Sequence, residues 1–128
     1  MTAWGLTINL RTDEDIQIYR RLHENQIPEI HAPGGALDVI GVKTMRIFFM
    51  KPRALFMYME TRDDFVPWRD FGHALELHPK VKEFDDYVHG NLLERVAAND
   101  GPTEWAVMEP IYIFDKRDDL QGPFGQEG

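Results

Sequence analysis

Residues 38–61 read Asp38-Val-Ile-Gly-Val-Lys-Thr-Met-Arg-Ile-Phe-Phe-Met50, then Lys51-Pro-Arg53, then Ala54-Leu-Phe-Met-Tyr-Met-Glu-Thr61. Two long stretches rich in apolar and aromatic residues are separated here by a short polar connector that contains a proline. This pattern predicts two antiparallel strands joined as a hairpin. The hairpin lies in the middle of the chain, so the elements on either side of it decide the fold.

One strand and two helical segments are predicted before the hairpin. Residues 3–10 alternate enough to predict a strand. Thr12 is expected to cap a helix with an acidic first turn, which runs to about Asn25. Pro28 begins a second, short helical segment, and the sequence Pro-Gly-Gly at 33–35 ends it.

Helical patterns return after the hairpin. Residues 63–77 predict a helix with an acidic start, and a second helical piece extends from about residue 79 to residue 97 or 98. Residues 105–114 predict a last strand, in which Pro110 suggests an edge position or a bulge.

The predicted order of elements is β-α-β-β-α-β, which indicates an α+β, ferredoxin-like fold with an antiparallel sheet. Helices on one face would leave the other face of the sheet with large apolar side chains, including Phe48, Met50, Phe56 and Tyr58. An apolar face of this size needs a cover, and a second copy of the chain would provide one. We therefore expect a homodimer in which two sheets pack face to face as a dimeric α/β barrel.

The chain length fits one domain, which we place at residues 1–116. Residues 117–128 end in a stretch with three glycines and a proline, and we expect this tail to be flexible or docked on a partner. The start of the sequence shows no secretory signal, and no apolar run is long enough to cross a bilayer. Cytoplasmic residence is the default expectation.

Composition excludes several classes of function. The formal net charge is −8, and lysines and arginines are interspersed with acids, which argues against nucleic acid and anionic membranes as partners. The chain has neither serine nor cysteine, so mechanisms that use a Ser-His-Asp or Cys-His nucleophile are excluded. Glycine-rich loops for dinucleotides or nucleoside triphosphates are absent from the sequence. The five histidines lack the usual spacing of zinc ligands, so no metal site is predicted.

The pair Tyr19 and His23 is the strongest candidate for chemistry. Residues four apart lie on the same side of a helix, and this side also carries Ile16, Ile18 and Leu22. Histidine is the side chain best suited to exchange protons near neutral pH. The alternative is that both residues are core residues whose polar atoms meet backbone groups. Trp68 and Trp105 are expected in the core or an interface, with stacking on a sugar as the alternative.

Several segments resemble the L-rhamnose mutarotase family over roughly residues 4–114. The motif Tyr-x-x-x-His, followed by an Ile-Pro-Glu segment, is the most specific of them. The matching segments are Tyr19-Arg-Arg-Leu-His23, Ile27-Pro28-Glu29, Met45-Arg-Ile-Phe-Phe-Met50, Leu55-Phe-Met-Tyr-Met-Glu-Thr-Arg-Asp-Asp-Phe65 and Glu109-Pro-Ile-Tyr-Ile-Phe114.

The resemblance implies a dimeric enzyme that interconverts the α and β anomers of a 6-deoxy-L-hexose without cofactor or metal. It implies that His23 is the proton donor and that Tyr19 contacts the sugar. A further contact falls near Met45, where the family tends to have tyrosine, and a pair of tryptophans falls on Phe84 and Asp85. These departures favour L-fucose over L-rhamnose as the substrate, because polar pockets discriminate hydroxyl configuration strongly. Tyr19 is also a catalytic candidate, since its phenol either holds a sugar hydroxyl or relays the second proton, and the sequence leaves these two roles open.

Two other classes of function remain as alternatives. One is a cofactor-independent monooxygenase of the dimeric α+β barrel type, which needs a roomy apolar pocket. The other is a non-catalytic dimeric binding domain, in which Tyr19 and His23 are only packing residues.

Overall fold

The computed structural model describes residues 1–117. Its elements follow one another as β1 (Thr2–Leu10), α1 (Asp15–Glu24), α2 (Pro28–His31), α3 (Ala36–Ile40), β2 (Val42–Met50), β3 (Ala54–Thr61), α4 (Pro67–Ala74), α5 (Pro79–Asn91), β4 (Leu93–Glu94) and β5 (Ala106–Val107).

The strands form one antiparallel sheet in the order β2-β3-β1-β4, and β5 also pairs with β1. β1 pairs with β3 along almost its whole length, from Thr2 opposite Thr61 to Asn9 opposite Ala54. The predicted hairpin is confirmed, since β2 and β3 pair from Val42 opposite Thr61 to Met50 opposite Ala54. The predicted α+β, ferredoxin-like fold is confirmed as well.

Alternation along the strands separates a buried face from an open one. The side chains buried under the helices come from every second residue of β1 and β3: Trp4, Leu6, Ile8, Leu10, Leu55, Met57 and Met59. The opposite face carries Phe48 and Met50, which are 56% and 62% exposed. This open face is the apolar surface that the sequence predicted.

The start of α1 differs from the prediction. The helix begins at Asp15, and the Thr12 side chain caps nothing. Instead, the backbone N–H of Thr12 donates to the Asp15 carboxylate at 3.1 Å, so the acidic residues form a turn before the helix. Ile18 was expected on the buried side of α1, but it is among the exposed apolar residues.

The segment before β2 and the extent of α4 also differ from the predictions. Residues 38–40 were assigned to the first hairpin strand, but they belong to α3. Gly41 ends α3 in the left-handed region, at a φ of 105° that favours glycine, so β2 begins only at Val42. The helix predicted over residues 63–77 is shorter, because α4 begins at Pro67 and ends at Ala74.

The last third of the chain shows two further corrections. α5 ends at Asn91, not at residue 97 or 98, because buried Leu92 and Leu93 lead directly into β4 beside β1. The strand predicted over 105–114 is reduced to Ala106–Val107. After the hydrogen bond from Met108 N–H to Gly5 O (2.8 Å), Pro110 offers no N–H for continued pairing.

The residues that follow β5 are held by ion pairs. The Arg117 guanidinium contacts the carboxylates of Asp115 at 2.9 Å and Glu60 at 3.1 Å. Arg117, the first residue of the tail predicted for 117–128, is therefore ion-paired to the rest of the chain. The other positions of the tail lie outside the described residues. The single domain at 1–116 stays a prediction. Within residues 1–117, no helix combines the length and apolar character needed to cross a membrane.

Candidate active site

A cavity of about 360 Å³ lies between the helices and the covered face of the sheet. All five residues that the sequence analysis assigned to the site line it: Tyr19, His23, Met45, Phe84 and Asp85. A neighbouring cleft of about 540 Å³ shares Tyr19, His23 and Met45 with this cavity. The His23 ring is thus beside space of the size that small-molecule sites have, rather than in a sealed core.

Helix α1 fixes the orientation of the His23 ring. The Nδ1 atom lies 2.9 Å from the backbone carbonyl oxygen of Tyr19, one turn earlier. A carbonyl oxygen only accepts hydrogen bonds, so Nδ1 carries the hydrogen, and Nε2 of the neutral ring has a free lone pair. Among the described residues, no protein group hydrogen-bonds to Nε2. His23 therefore offers a basic nitrogen with an unfilled hydrogen-bonding position.

Tyr19 lies next to His23, and its side chain is buried. The two ring centroids are 4.4 Å apart and the ring planes are tilted by 39°. Burial raises the pKa of the Tyr19 phenol well above its ordinary value, so the hydroxyl stays protonated at neutral pH. It can donate or accept a hydrogen bond at the cavity wall, but it does not act as a base.

His31 and Phe84 complete a cluster of rings around His23. The His31 centroid is 6.2 Å from that of His23, and Phe84 presents edge-on contacts to both at 5.8 and 5.9 Å. Nδ1 of His31 accepts a hydrogen bond from the Ile27 backbone N–H at 3.0 Å. Burial lowers the pKa of His31, and the charge of nearby His23 lowers it further.

Another part of the cavity wall is more polar. Asp85 and His89, one turn apart on α5, approach to 3.5 Å. Burial raises the pKa of Asp85, while the opposite charge on His89 acts against that shift. Glu104 also lines the cavity, but its carboxylate is already paired with Arg95 at 3.3 Å. Asp85 approaches His89 only at 3.5 Å, with no hydrogen bond between them, so among the described residues it is the more available acceptor for a ligand hydroxyl.

Both tryptophans expected in the core or an interface line the cavity. Trp105 is buried, whereas Trp68 is 49% exposed and packs edge-on against Trp4 at 6.2 Å. Together with Met45, these rings give the cavity an apolar wall of the kind on which a sugar face can pack.

Three further titratable side chains that line the cavity were not among the predicted site residues: His31, His89 and Glu104. The sequence predicts scattered histidines, but three of the chain's five, namely His23, His31 and His89, line one cavity. His89 follows Asp85 by four residues, as His23 follows Tyr19. This shared spacing is the sequence signal by which His89 could have been identified. Within residues 1–117, no group of three or more histidine or acidic side chains is arranged to hold a metal ion.

The fold and the site define a class: a small ferredoxin-like α+β protein whose cavity is lined by an imidazole with one ring nitrogen free of protein partners among the described residues. A family model described as L-rhamnose mutarotase matches residues 3–114, and the chain belongs to this family. Membership makes it an isomerase-type enzyme that acts on sugar anomers, and it confirms the resemblance found in the sequence.

Two individual proteins are similar to the chain. The UPF0734 protein of Dictyostelium discoideum is 32% identical over 116 residues, which cover 88% of this chain and 90% of the relative. The crystal structure of an L-rhamnose mutarotase from Formosa agariphila superimposes with a TM-score of 0.61 at 18% identity, covering 88% of this chain and 98% of the other. At that identity the second likeness concerns the fold alone.

Proposed function

We propose that this protein interconverts the α and β anomers of a 6-deoxy-L-hexose, with His23 as the general acid and base. One observation carries the proposal: Nδ1 of His23 is tied to the Tyr19 carbonyl at 2.9 Å, so that Nε2 is the basic atom available beside the cavity. A neutral imidazole with a free nitrogen is the group that reversible proton transfer near neutral pH requires.

The reaction needs one proton to move between two oxygens bonded to the same carbon. Nε2 of His23 takes the proton of the anomeric hydroxyl, and the bond from C1 to the ring oxygen breaks. The resulting imidazolium gives the proton to the ring oxygen, which leaves an open-chain aldehyde. Rotation about the C1–C2 bond and the reverse steps form the other anomer. The imidazole returns to its starting state, and the steps need no nucleophile, cofactor or metal.

The remaining predicted site residues bind the sugar in this proposal. The protonated Tyr19 hydroxyl holds a sugar hydroxyl next to His23, because burial keeps the phenol neutral. Met45 and Phe84 supply apolar surface, and the Asp85 carboxylate accepts a hydrogen bond from another hydroxyl. Proton transfer of this kind accounts for rate gains of about 10²–10⁴.

L-Fucose is the favoured substrate and L-rhamnose the second. The family resemblance puts two tryptophans where this chain has Phe84 and Asp85, so a carboxylate replaces an aromatic face at the cavity wall. The Asp85 side chain is partly buried, and an acceptor withdrawn from water favours a sugar whose hydroxyl reaches it over one that leaves it unpaired. The two sugars differ in hydroxyl configuration. In this proposal Asp85 distinguishes them by accepting a hydrogen bond from a hydroxyl that only one of them presents to it.

A homodimer remains part of the proposal. Phe48 and Met50 lie on the open face of the sheet with more than half of their surface exposed. The segment after β5 adds Ile111, Tyr112 and Phe114, which are 96%, 80% and 73% exposed. A second copy packed on the open face would remove Phe48 and Met50 from water, and the exposed segment after β5 offers further apolar surface for contact.

Saturation-transfer NMR on freshly purified protein tests the proposed activity. The anomeric signals of L-fucose, L-rhamnose and, as a control that keeps the C6 hydroxyl, L-galactose are followed with and without the protein. We expect faster anomer exchange for both 6-deoxy sugars and the largest effect for L-fucose. Unchanged exchange for every sugar would contradict the proposal and favour a binding domain. Oxygen consumption with a polycyclic substrate would favour the monooxygenase alternative.

A further inference from the structure

His31 is a titratable residue beside His23 for which the proposed function names no role. It lines both the main cavity and the neighbouring cleft, as His23 does. The centroid of its ring lies 6.2 Å from that of His23, and both rings make T-shaped contacts with Phe84. The two rings are thus close enough, and line the same space, for both imidazoles to contact one small ligand.

The two histidines have opposite hydrogen-bonding patterns. Nδ1 of His31 lies 3.0 Å from the backbone N–H of Ile27, which can only donate, so Nδ1 of His31 is the acceptor. The hydrogen of the neutral ring is then on Nε2. His23 has the reverse arrangement, with the hydrogen on Nδ1 and the lone pair on Nε2. The ring nitrogens left without a protein partner among the described residues are therefore an acceptor on His23 and a donor on His31.

Two features keep His31 in this state. Burial and the neighbouring His23 lower the pKa of His31, which favours its neutral form. The one-turn helix α2 and the turn after it hold the ring in place, because the Gly35 N–H donates to the Ala32 carbonyl at 2.8 Å. A Cβ at Gly35 would lie only 2.7 Å from the Pro28 carbonyl oxygen, so this tight turn depends on glycine.

We infer that His31 is a second catalytic residue, whose Nε2–H donates a hydrogen bond to the ring oxygen of the sugar while His23 moves the proton. This inference rests on the proposed mutarotase function. As the bond from C1 breaks, the electron pair moves onto the ring oxygen. The hydrogen bond from His31 stabilises the developing negative charge until the His23 imidazolium delivers its proton. His31 keeps its own proton throughout, so no imidazolate forms and the step balances.

Two substitutions distinguish the role of Nδ1 of His31 as an acceptor from the role of Nε2 as a donor. In His31→Asn the side-chain oxygen can still accept from Ile27 N–H, but the donor at the Nε2 position is lost. In His31→Gln the amide nitrogen reaches the Nε2 position and retains a donor. We expect kcat to fall about 10²-fold in His31→Asn, as for the loss of one donor to a developing oxyanion, and to fall far less in His31→Gln.

His78→Asn is the matched control. Nδ1 of His78 also accepts from a backbone N–H, that of Lys80 at 3.1 Å, but His78 is exposed and does not line the cavity. We expect its kcat to equal that of the wild type. Equal kcat values in the wild type, His31→Asn and His31→Gln would overturn the assignment of His31.

The tautomers provide a readout that does not depend on activity. Long-range ¹H–¹⁵N correlation spectra of the wild-type protein should show hydrogen on Nε2 of His31 and on Nδ1 of His23. Hydrogen on Nδ1 of His31 would overturn the inference even if the variants are inactive. Wild-type protein that accelerates no sugar would refute the proposed function instead, and the spectra would still decide whether His31 presents a donor.

Discussion

The His23 imidazole folds back on the residue one turn before it, with Nδ1 2.9 Å from the Tyr19 carbonyl oxygen and the two rings 4.4 Å apart. The alternative considered for these residues was packing with polar atoms satisfied by the backbone. For Nδ1 of His23 this alternative is correct, because Nδ1 is hydrogen-bonded to the backbone carbonyl of Tyr19. The other ring nitrogen has no partner among the described residues and lies beside a cavity, so backbone satisfaction and chemistry are compatible in one ring.

His23→Ala should remove most of the activity without unfolding the protein. The substitution deletes the proposed acid and base, and general acid–base catalysis contributes about 10²–10⁴ in rate. His73→Ala is the control, because His73 is an exposed histidine that does not line the cavity. Anomer exchange by saturation-transfer NMR, with circular dichroism for folding, provides the measurement. Wild-type exchange rates in His23→Ala would remove His23 from the mechanism.

Tyr19→Phe tests the role of the neutral phenol. The substitution keeps the ring that packs on His23 and removes the hydroxyl, so we expect KM to rise about tenfold, as for the loss of about 1.4 kcal/mol of binding. A rate loss as large as that of His23→Ala, with KM unchanged, would instead make the phenol part of the proton path.

The same residue predicts a pH dependence of stability. Burial raises the pKa of the Tyr19 phenol above its ordinary value near 10, so the unfolded chain releases this proton first as pH rises. The contribution of the neutral phenol is complete below about pH 10 and falls above it, by at most about 1.4 kcal/mol per pH unit. Urea unfolding of wild type and Tyr19→Phe at pH 8 and above pH 10 measures this. An equal loss of stability in both proteins would contradict the prediction.

Local periodicity placed part of the site and the two faces of the sheet, whereas the other three predicted site residues came from the resemblance to the family. The i, i+4 spacing on α1 put Tyr19 and His23 on one side of the helix, and alternation in β1 and β3 separated the buried face from the open one. His31 was out of reach because its orientation depends on a single backbone hydrogen bond in a one-turn helix. The length of the last strand could not be predicted locally either. β4 and β5 share the same edge of β1, so the extent of each depends on how the whole sheet assembles.

Asp85→Asn should change sugar preference more than fold. The substitution keeps the size of the side chain but removes the charge of the proposed hydroxyl acceptor, so kcat/KM for L-fucose should fall about 10–200-fold relative to L-rhamnose. Asp86→Asn is the matched control, because Asp86 is exposed, pairs with Lys82 at 2.8 Å and does not line the cavity. The ratio of kcat/KM for the two sugars is the quantity to compare. An unchanged ratio in Asp85→Asn would show that this carboxylate does not determine the preference between the two sugars.

Phe48→Glu should dissociate the proposed homodimer. Phe48 lies opposite Phe56 on the open face of the sheet. In the dimer, a carboxylate at position 48 would be buried beside the apolar Phe56 ring, and the loss of its hydration would destabilise the interface. Tyr87→Glu is the control, because Tyr87 on α5 is 45% exposed and distant from this face in the fold. Sedimentation velocity at micromolar protein should give a dimer for the wild type and Tyr87→Glu, and a monomer for Phe48→Glu. A monomeric wild type would show that the open face is not covered by a second copy, and a dimeric Phe48→Glu would place the interface elsewhere.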